Sequence, residues 1–445
     1  MSAGSVVLGI DQGLSGARAA VMTLDGSVLG RGRAECVDIR PALGGLEHDP
    51  DRWVEEMTVA ARDAVSEAGV PTVDAIGVAA LGPAPVLLDA GLKPLAPAPL
   101  FPQDPDAPFR RWTADAPQLV DRAVWAVDVC GFLVSTLVGR PVLDRITSAD
   151  HVVPQGWPGL RMPDVEEPFA VAGGLTDDAS SRLGLAAGTP VTVGSYDTFV
   201  DLAALGVRET GDRGILLGST LIVGSVRPDA RAPDGLRASE HVGEGWFVGG
   251  WTQAAGRALA WWLGLFPSER QAQIVGEAAE LQPGAGGLLA LPYLDGERAP
   301  VWDPDARGAF VGLTTSTTAA ELHRATIDAV ALSTADLAGR LGSLDGATRP
   351  WLVGGGGVRD AAWLQATVDA VGETMRVAEL SDAGGAARSA ILALGEPLPP
   401  LPMRRVEPDA ERHAIYARLL SPYRGLHGSL ASTVSALATQ VVDHG

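Results

Sequence analysis

A chain of 445 residues is too long for one ordinary hydrophobic core, so it divides into two or three domains and is no single small binding module. With 46% apolar and 20% charged residues it buries large cores and is not intrinsically disordered. The 54 acidic residues outweigh 34 basic ones, and the net charge of −20, with no local basic patch, excludes nucleic acid and anionic membrane surfaces as partners.

Residues 6–10 read as a buried strand entering Asp11-Gln12-Gly13, and residues 17–24 return as a second strand before the Asp25-Gly26 turn. A hairpin therefore opens the protein. The N-terminal residues carry no basic region or long apolar run, so no signal peptide is expected. Cys36 and Cys130 supply neither a disulfide framework nor a C-x-x-C pair, which predicts buried free thiols and a reducing, cytoplasmic setting. Residues 50–68 place Trp53, Val54, Met57, Ala60 and Val65 at mostly helical spacing behind an Asp49-Pro50 start signal, and residues 75–80 read as a short buried strand.

The proline-rich residues 83–117 predict an irregular loop bordering a cleft, since proline lacks a backbone donor and fixes φ. Lys93 is the only lysine; Pro94 follows it and no glycine loop precedes it, which excludes a Walker A motif. Residues 125–138 read as a helix and residues 154–168 as irregular. A buried strand at 191–194 leads through Tyr196-Asp197 into a helical run at 198–205. The plan then restarts: residues 214–224 repeat strand, small polar turn and strand without close identity, which points to a structural duplication with a boundary near Gly211. A helix at 253–265, a strand at 288–291, a helix at 319–337 and a strand-loop-helix unit at 351–371 follow. Residues 425–442 are too polar for a membrane span and read as an amphipathic helix.

Three turns each follow a strand: Asp11 to Gly16, Gly218-Ser219-Thr220, and Gly354-Gly355-Gly356-Gly357. Such turns expose backbone N–H groups to phosphate oxygens with no Cβ in the way, although any one of them alone is more often a plain turn. A carboxylate beside phosphates calls for a cation, and Mg²⁺ held by one or two carboxylates plus phosphates suits Asp11. Asp197, where a strand gives way to a helix, is placed to accept the proton of an attacking hydroxyl. For either aspartate alone, a helix cap is the competing explanation. Trp251, Trp261 and Trp262 are expected to be packing residues, and His48, His151, His241 and His323 lack the mutual spacing of a metal cluster.

These residues carry a resemblance. Gly9-Ile10-Asp11-Gln12-Gly13 with Ser15 and Arg18 resembles the first phosphate motif of the FGGY carbohydrate kinases, members of the actin-like ATPase superfamily that include glycerol, xylulose and ribulose kinases. Gly218-Ser219-Thr220 stands where these kinases have a G-T-S turn. Leu291 to Pro300, Asp305 to Gly308 and Gly312-Leu313 form the most specific block, and Val353 to Gly357 with Trp363, Gln365 and Asp369 resembles the adenosine-binding segment. The resemblance implies an α/β protein of two actin-like (ribonuclease H-like) ATPase domains flanking a central cleft: residues 1–210 for sugar and 211–445 for nucleotide. It implies ATP-dependent phosphorylation of a hydroxyl of a small sugar, ketose or polyol, with ATP and Mg²⁺ as cofactors. Asp197 then corresponds to the catalytic base and a metal ligand, and Asp11 to the metal-site aspartate. Gly13, Ser15, Arg18, Gly218, Ser219, Thr220, Gly312 and the four glycines at 354–357 correspond to the ATP site. A homodimer is one assembly that the sequence allows.

Departures fall where sugar should bind. The family's polar residues after the strand at 75–79 are replaced by Ala80-Leu81-Gly82-Pro83, and its W-x-D-x-R is eroded to Phe101-Pro102-Gln103-Asp104, without the arginine. Leu81, Pro83, Gln103, Asp104 and Asp197 are the expected substrate-binding residues. Such a pocket should prefer a substrate other than glycerol or D-xylulose, because hydroxyl specificity depends on matched polar partners. The alternative reading is a catalytically silent nucleotide- or sugar-binding regulatory protein on the same fold.

Overall fold

The computed structural model describes residues 5–37, 39–42, 45–101, 104, 106–149, 157, 159–243, 245–253, 255–342 and 349–442. Its contacts divide the chain into two compact units. The first comprises Met1–Ala204, Glu240–Val242 and Leu380–Leu401; the second comprises Leu205–Ser239, Gly243–Glu379 and Pro402–Gly445. The segment 380–401, although late in the chain, thus belongs to the first unit.

In the first unit, Val6–Gly13 and Gly16–Thr23 pair antiparallel as a hairpin closed by Leu14-Ser15, and Val28–Glu35 adds a third antiparallel strand. On the other side, Ala75–Ala80 lies parallel to Val6–Gly13, and Pro190–Thr192 lies parallel to Ala75–Ala80. Strand alternation sends Val6, Leu8 and Ile10 into a core with Trp53 and Met57 of the helix Pro50–Ala68, while Val7 faces Ala387 and Ala390 of the helix Gly384–Ala393. Both faces are therefore buried, which is why these strands read as nearly unbroken apolar runs.

Glycine sets how closely the second helix approaches. A Cβ on Gly9 would fall 2.2 Å from the backbone N of Ala387, and one on Gly77 would fall 1.8 Å from the carbonyl O of Ala386. Only glycine at these strand positions lets the helix backbone lie directly on the sheet.

The second unit repeats the plan. Arg213–Leu217 and Leu221–Arg227 form the hairpin, Trp246–Trp251 is the third antiparallel strand, and Trp351–Gly354 followed by Met375–Val377 supplies the parallel side. The duplication read from the sequence is present in strand order and direction. The helix Ala319–Gly342 is buried along most of its length, and inside it Arg324 pairs with Asp328 at 2.9 Å, while Tyr416 donates to Asp328 at 2.6 Å.

Several expectations need correction. Residues 83–117 are not one irregular loop: they hold the strands Val86–Leu88 and Ala98–Leu100 and the helix Ala107–Asp115. Pro108 sits in that helix's first turn, where a missing N–H costs nothing. The helix expected at 125–138 starts only at Val129; Trp125–Val127 is a strand, and Asp128 caps the helix by accepting from Gly131 N at 2.8 Å. Trp261 is 49% exposed and is no core residue, unlike Trp262 on the same helix. His151 lies outside the described residues. Among the described residues, no helix is long and apolar enough to cross a membrane.

Candidate active site

In the first unit the C-terminal end of the parallel strands collects carboxylates. Asp11 ends the first strand, paired in register with Arg18 of the hairpin's return strand. The Arg18 guanidinium lies 3.7 Å from Asp11 Oδ2 and donates to Ser15 Oγ at 2.7 Å, and it closes over Gly13, where a Cβ would meet Arg18 Nη1 at 3.0 Å. Gly13, Ser15 and Arg18 therefore form one turn with Asp11.

Asp197 begins the helix Asp197–Leu205, directly after the short strand Ser195–Tyr196 that pairs with the end of Ala75–Ala80. Its Oδ1 accepts from the backbone N of Thr198 at 2.6 Å. That contact is local and orients the side chain at the helix start, so the capping role and the functional role coexist in this residue. Asp197 and Asp11 face each other electrostatically. Burial first, then the Asp197 charge, push the Asp11 carboxyl up to about 7, with Arg18 opposing.

Two further carboxylates join them. Asp201, one helical turn after Asp197, is raised well above the usual carboxylate range by burial and then by Asp11 and Asp197, and it lies against Gly385, where a Cβ would fall 2.1 Å from Asp201 Oδ1. Asp382, just before the helix Gly384–Ala393, adds a smaller repulsion on both Asp11 and Asp201. Sequence reading missed both. The i, i+4 spacing of Asp197 and Asp201 was the available signal for the first; Asp382 had none, because its place depends on the late helix docking on the first sheet.

Like charges gathered this way cost free energy unless a cation or protons offset them. The Asp11 side chain keeps 21% exposure, yet its Oδ1 is buried with no hydrogen-bond partner among the described residues. An orphaned carboxylate oxygen amid converging carboxylates fits a hard divalent cation such as Mg²⁺.

The loop after Ala75–Ala80 lies beside Asp197. Leu81 is buried and donates its N–H to the carbonyl of Gln12 at 2.7 Å, and Gly82 packs so tightly on Tyr196 that a Cβ would fall 2.0 Å from the ring. Half-buried Pro83 accepts from Phe101 N at 2.8 Å. Asp104, by contrast, is 53% exposed, pairs with Arg110 and accepts from the backbone N of Asp106 at 3.0 Å in the turn before the following helix. Its described contacts belong to that helix start and not to the Asp11 and Asp197 cluster. Gln103 lies outside the described residues.

In the second unit two of the glycine turns come together. Leu216 pairs in parallel register with Gly354, so the turns after Arg213–Leu217 and Trp351–Gly354 leave adjacent strands side by side. Gly355 has φ +90 and its Cβ would fall 2.5 Å from the carbonyl of Leu217, so the conformation and the approach both require glycine. Gly218 donates to the carbonyl of Thr220 at 3.0 Å, exposed Ser219 accepts from the backbone N of Ala255 and Arg257 at 3.1 Å, and exposed Gly356 has open space around it. Gly357 packs on Trp363, where a Cβ would fall 2.3 Å from the ring. Gly312, at φ +96, packs on Gly287 at the end of a separate hairpin formed by Leu289–Leu291 and Ala309–Val311. The described contacts do not join it to the other two turns.

Comparison with known proteins identifies the family and the fold. The N-terminal domain model of the FGGY family of carbohydrate kinases matches residues 6–106, and the C-terminal domain model matches residues 215–394. The chain is 24% identical to a xylulose kinase of Escherichia coli, over 95% of this chain and 99% of that protein. It is 27% identical to a glycerol kinase of Allorhizobium ampelinum, over 75% and 78%. Among solved structures, a ligand-bound xylulose kinase from Lactobacillus acidophilus matches with a TM-score of 0.84 at 18% identity, covering 97% of this chain and 100% of that one. A xylulose kinase from Rhodospirillum rubrum matches with a TM-score of 0.81 at 24% identity, covering 97% and 100%. The fold is thus the actin-like two-domain fold expected from the sequence. With both domain models matched in order along the chain, it belongs to the FGGY family of carbohydrate kinases, phosphotransferases that act on sugar hydroxyls.

Proposed function

We propose that the first unit carries the chemistry of ATP-dependent sugar phosphorylation through Asp197, and that the second unit binds the nucleotide through its paired glycine turns. The observation that carries this reading is the convergence of Asp197, Asp11 and Asp201 at one end of the first sheet, at an electrostatic cost that a plain helix cap does not explain. Asp197 would accept the proton of the acceptor hydroxyl as that oxygen attacks the γ-phosphorus of ATP. Arg18, held over Ser15 and Gly13, would balance charge on the transferred phosphoryl group.

Asp11, together with Asp197, would hold Mg²⁺, which when bound neutralises phosphate charge. Gly218, Ser219, Thr220 and Gly354 to Gly357 would bind ATP through exposed backbone N–H groups, and Gly312 would contribute from its own hairpin. Leu81 and Pro83 border the sugar, next to Asp197. They offer apolar surface where a polyol would need hydrogen bonds, which supports a substrate with fewer hydroxyls on that side; Asp104, committed to Arg110, does not replace the missing partners. The division of labour places sugar binding in residues 1–210 and nucleotide binding in 211–445, with 380–401 helping to form the first. Two cysteines outside any disulfide, Cys36 and Cys130, support a cytoplasmic setting.

A panel assay of ADP release against pentuloses, tetruloses, hexoses and polyols tests the reading. Stimulation by at least one sugar is expected, with kcat/KM below about 10⁴ M⁻¹s⁻¹ for glycerol and D-xylulose. ATP binding without stimulation by any of them would contradict it. Efficient turnover of either common substrate would overturn the altered pocket alone.

A further inference from the structure

Away from the carboxylate cluster, the first unit gathers a second set of chemistry-bearing groups that the kinase reaction does not use. Cys36 follows the strand Val28–Glu35, His48 ends the strand Gly45–His48, and Glu56 lies on the helix Pro50–Ala68. Their ligand atoms lie within 4.8 Å of one another. Cys36 Sγ is 3.1 Å from His48 Nε2, and Glu56 Oε1 is 3.7 Å from the same nitrogen. His48 is 1% exposed and the Glu56 side chain 7%, so the site is dry on two sides, while partly exposed Cys36 leaves a way in.

The hydrogen bonding around the set is incomplete in a specific way. The ring of His48 stacks on Trp53 at 5.1 Å, and its Nδ1 lies 2.9 Å from the carbonyl of Asp49, a contact that puts the proton on Nδ1 and turns the Nε2 lone pair inward. Facing Nε2 are the thiol, the carbonyl of Val37 at 3.2 Å, and Glu56 Oε1. The last two are acceptors only. Among the described residues, Glu56 Oε1 is buried and makes no hydrogen bond of ordinary geometry, the Cys36 thiol and the Val37 N–H favouring the charged carboxyl less than Gln12 and His48 do, and Oε1 of Gln12, whose amide donates to the other Glu56 oxygen at 2.7 Å, makes none either. A buried carboxylate oxygen aimed at a lone pair is costly, and one cation between Glu56 Oε1 and His48 Nε2 would satisfy both.

We propose that Cys36, His48 and Glu56 form a binding site for Zn²⁺ or a similar borderline-soft divalent metal. Sulfur, imidazole and carboxylate together match zinc, while a hard ion such as Mg²⁺ takes oxygen. The two separations at His48 Nε2 agree as well. Tetrahedral coordination with Zn–S of about 2.3 Å and Zn–N and Zn–O of about 2.0–2.2 Å puts S and N about 3.6 Å apart and N and O about 3.4 Å apart. The spacings of 3.1 and 3.7 Å need adjustments of a few tenths of an ångström. The Asp49 carbonyl on Nδ1 and the Gln12 amide on Glu56 are outer contacts of the kind that orient metal ligands. Metal uptake would release the Cys36 proton to solvent and leave a bound thiolate. Through Gln12, which follows Asp11, the ion would brace the start of the phosphate turn.

Titrating the metal-free full-length protein with Co²⁺, followed by displacement with Zn²⁺, tests the site. With excess Mg²⁺ present to fill the carboxylate site, one Co²⁺ per chain is expected, with the visible bands of a tetrahedral ion and a near-ultraviolet thiolate-to-cobalt band, displaced by Zn²⁺. Cys36→Ser should abolish the thiolate band and weaken zinc binding by about 10²-fold or more, given that loss of even outer contacts costs 10- to 100-fold. Circular dichroism of that variant separates loss of metal from loss of fold. Absence of the thiolate band in the wild type would overturn the proposal. Its persistence in Cys36→Ser, which would point to Cys130, would do so equally.

Discussion

On the proposed reading, the two units meet a phosphate in opposite ways. The second uses neutral backbone: the turns around Gly218 and Gly355 leave adjacent parallel strands, and a positive φ with a 2.5 Å approach to Leu217 fixes their shape. Nothing there calls for an ionised side chain. The first concentrates charge instead: burial first, and then the mutual repulsion of Asp11, Asp197 and Asp201, push Asp11 up to about 7 and Asp201 well above the carboxylate range. The same hairpin-plus-parallel-strand plan thus carries glycine turns in one copy and a buried carboxylate cluster in the other. The comparison teaches that a duplicated fold fixes where a site sits, at the ends of the parallel strands, while side chains decide what it does.

After the catalytic aspartate itself, the largest effect expected from breaking this contrast comes from Asp11→Asn. Losing the metal-site carboxylate should lower turnover by about 10²- to 10³-fold, the range for removing one preorganised electrostatic group, with Mg²⁺ dependence measured alongside. The same variant should be more heat-stable in the absence of metal. A carboxyl raised in the folded protein binds protons that the unfolded chain has released between pH 4 and 7, so the wild type loses stability as pH rises through that window, and asparagine escapes the loss. Melting curves at pH 5 and pH 8 check the sign: the gain should appear at pH 8 and shrink at pH 5. Wild-type activity at limiting Mg²⁺ should rise as pH climbs through about 7, where Asp11 ionises.

Gly77→Ala tests the packing that brings Asp382 and Gly385 to the site. Its Cβ would fall 1.8 Å from the Ala386 carbonyl, so the helix Gly384–Ala393 must shift, and a loss of about 1–3 kcal/mol or more in denaturant unfolding is expected. Gly355→Ala is the smaller, sharper probe of the second unit. Strain at φ +90 costs about 1–3 kcal/mol, which should appear as weaker ATP binding in calorimetry with little change in turnover at saturating ATP. An equal loss of turnover would blur the contrast between the units.

Much of this was legible in the sequence because it is local. The opening hairpin, the helix behind Asp49-Pro50, the glycine turns and the positions of Asp11 and Asp197 each follow from short-range pattern. What escaped was decided at long range or by position within a helix. Proline in the first turn of Ala107–Asp115 supports a helix where a proline count argued for a loop, and Asp382 acquires meaning only when its helix docks on Gly9 and Gly77. Asp104 looked free to replace a lost sugar contact, yet Arg110, six residues on, claims it. Cys36, His48 and Glu56 meet across two strands and a helix, a meeting that no spacing between histidines could announce.

The central claim is that Asp197 performs chemistry while the nucleotide is held elsewhere, and single-turnover kinetics on Asp197→Asn, paired with ATP titration of the same preparation, tests it most directly. The sugar used is whichever best stimulates ADP release. The account predicts phosphorylated sugar forming about 10²- to 10⁴-fold more slowly than in the wild type, the range for a positioned general base, with ATP affinity nearly unchanged. Wild-type rates in the variant, or a loss of ATP affinity that accounts for the whole effect, would contradict it.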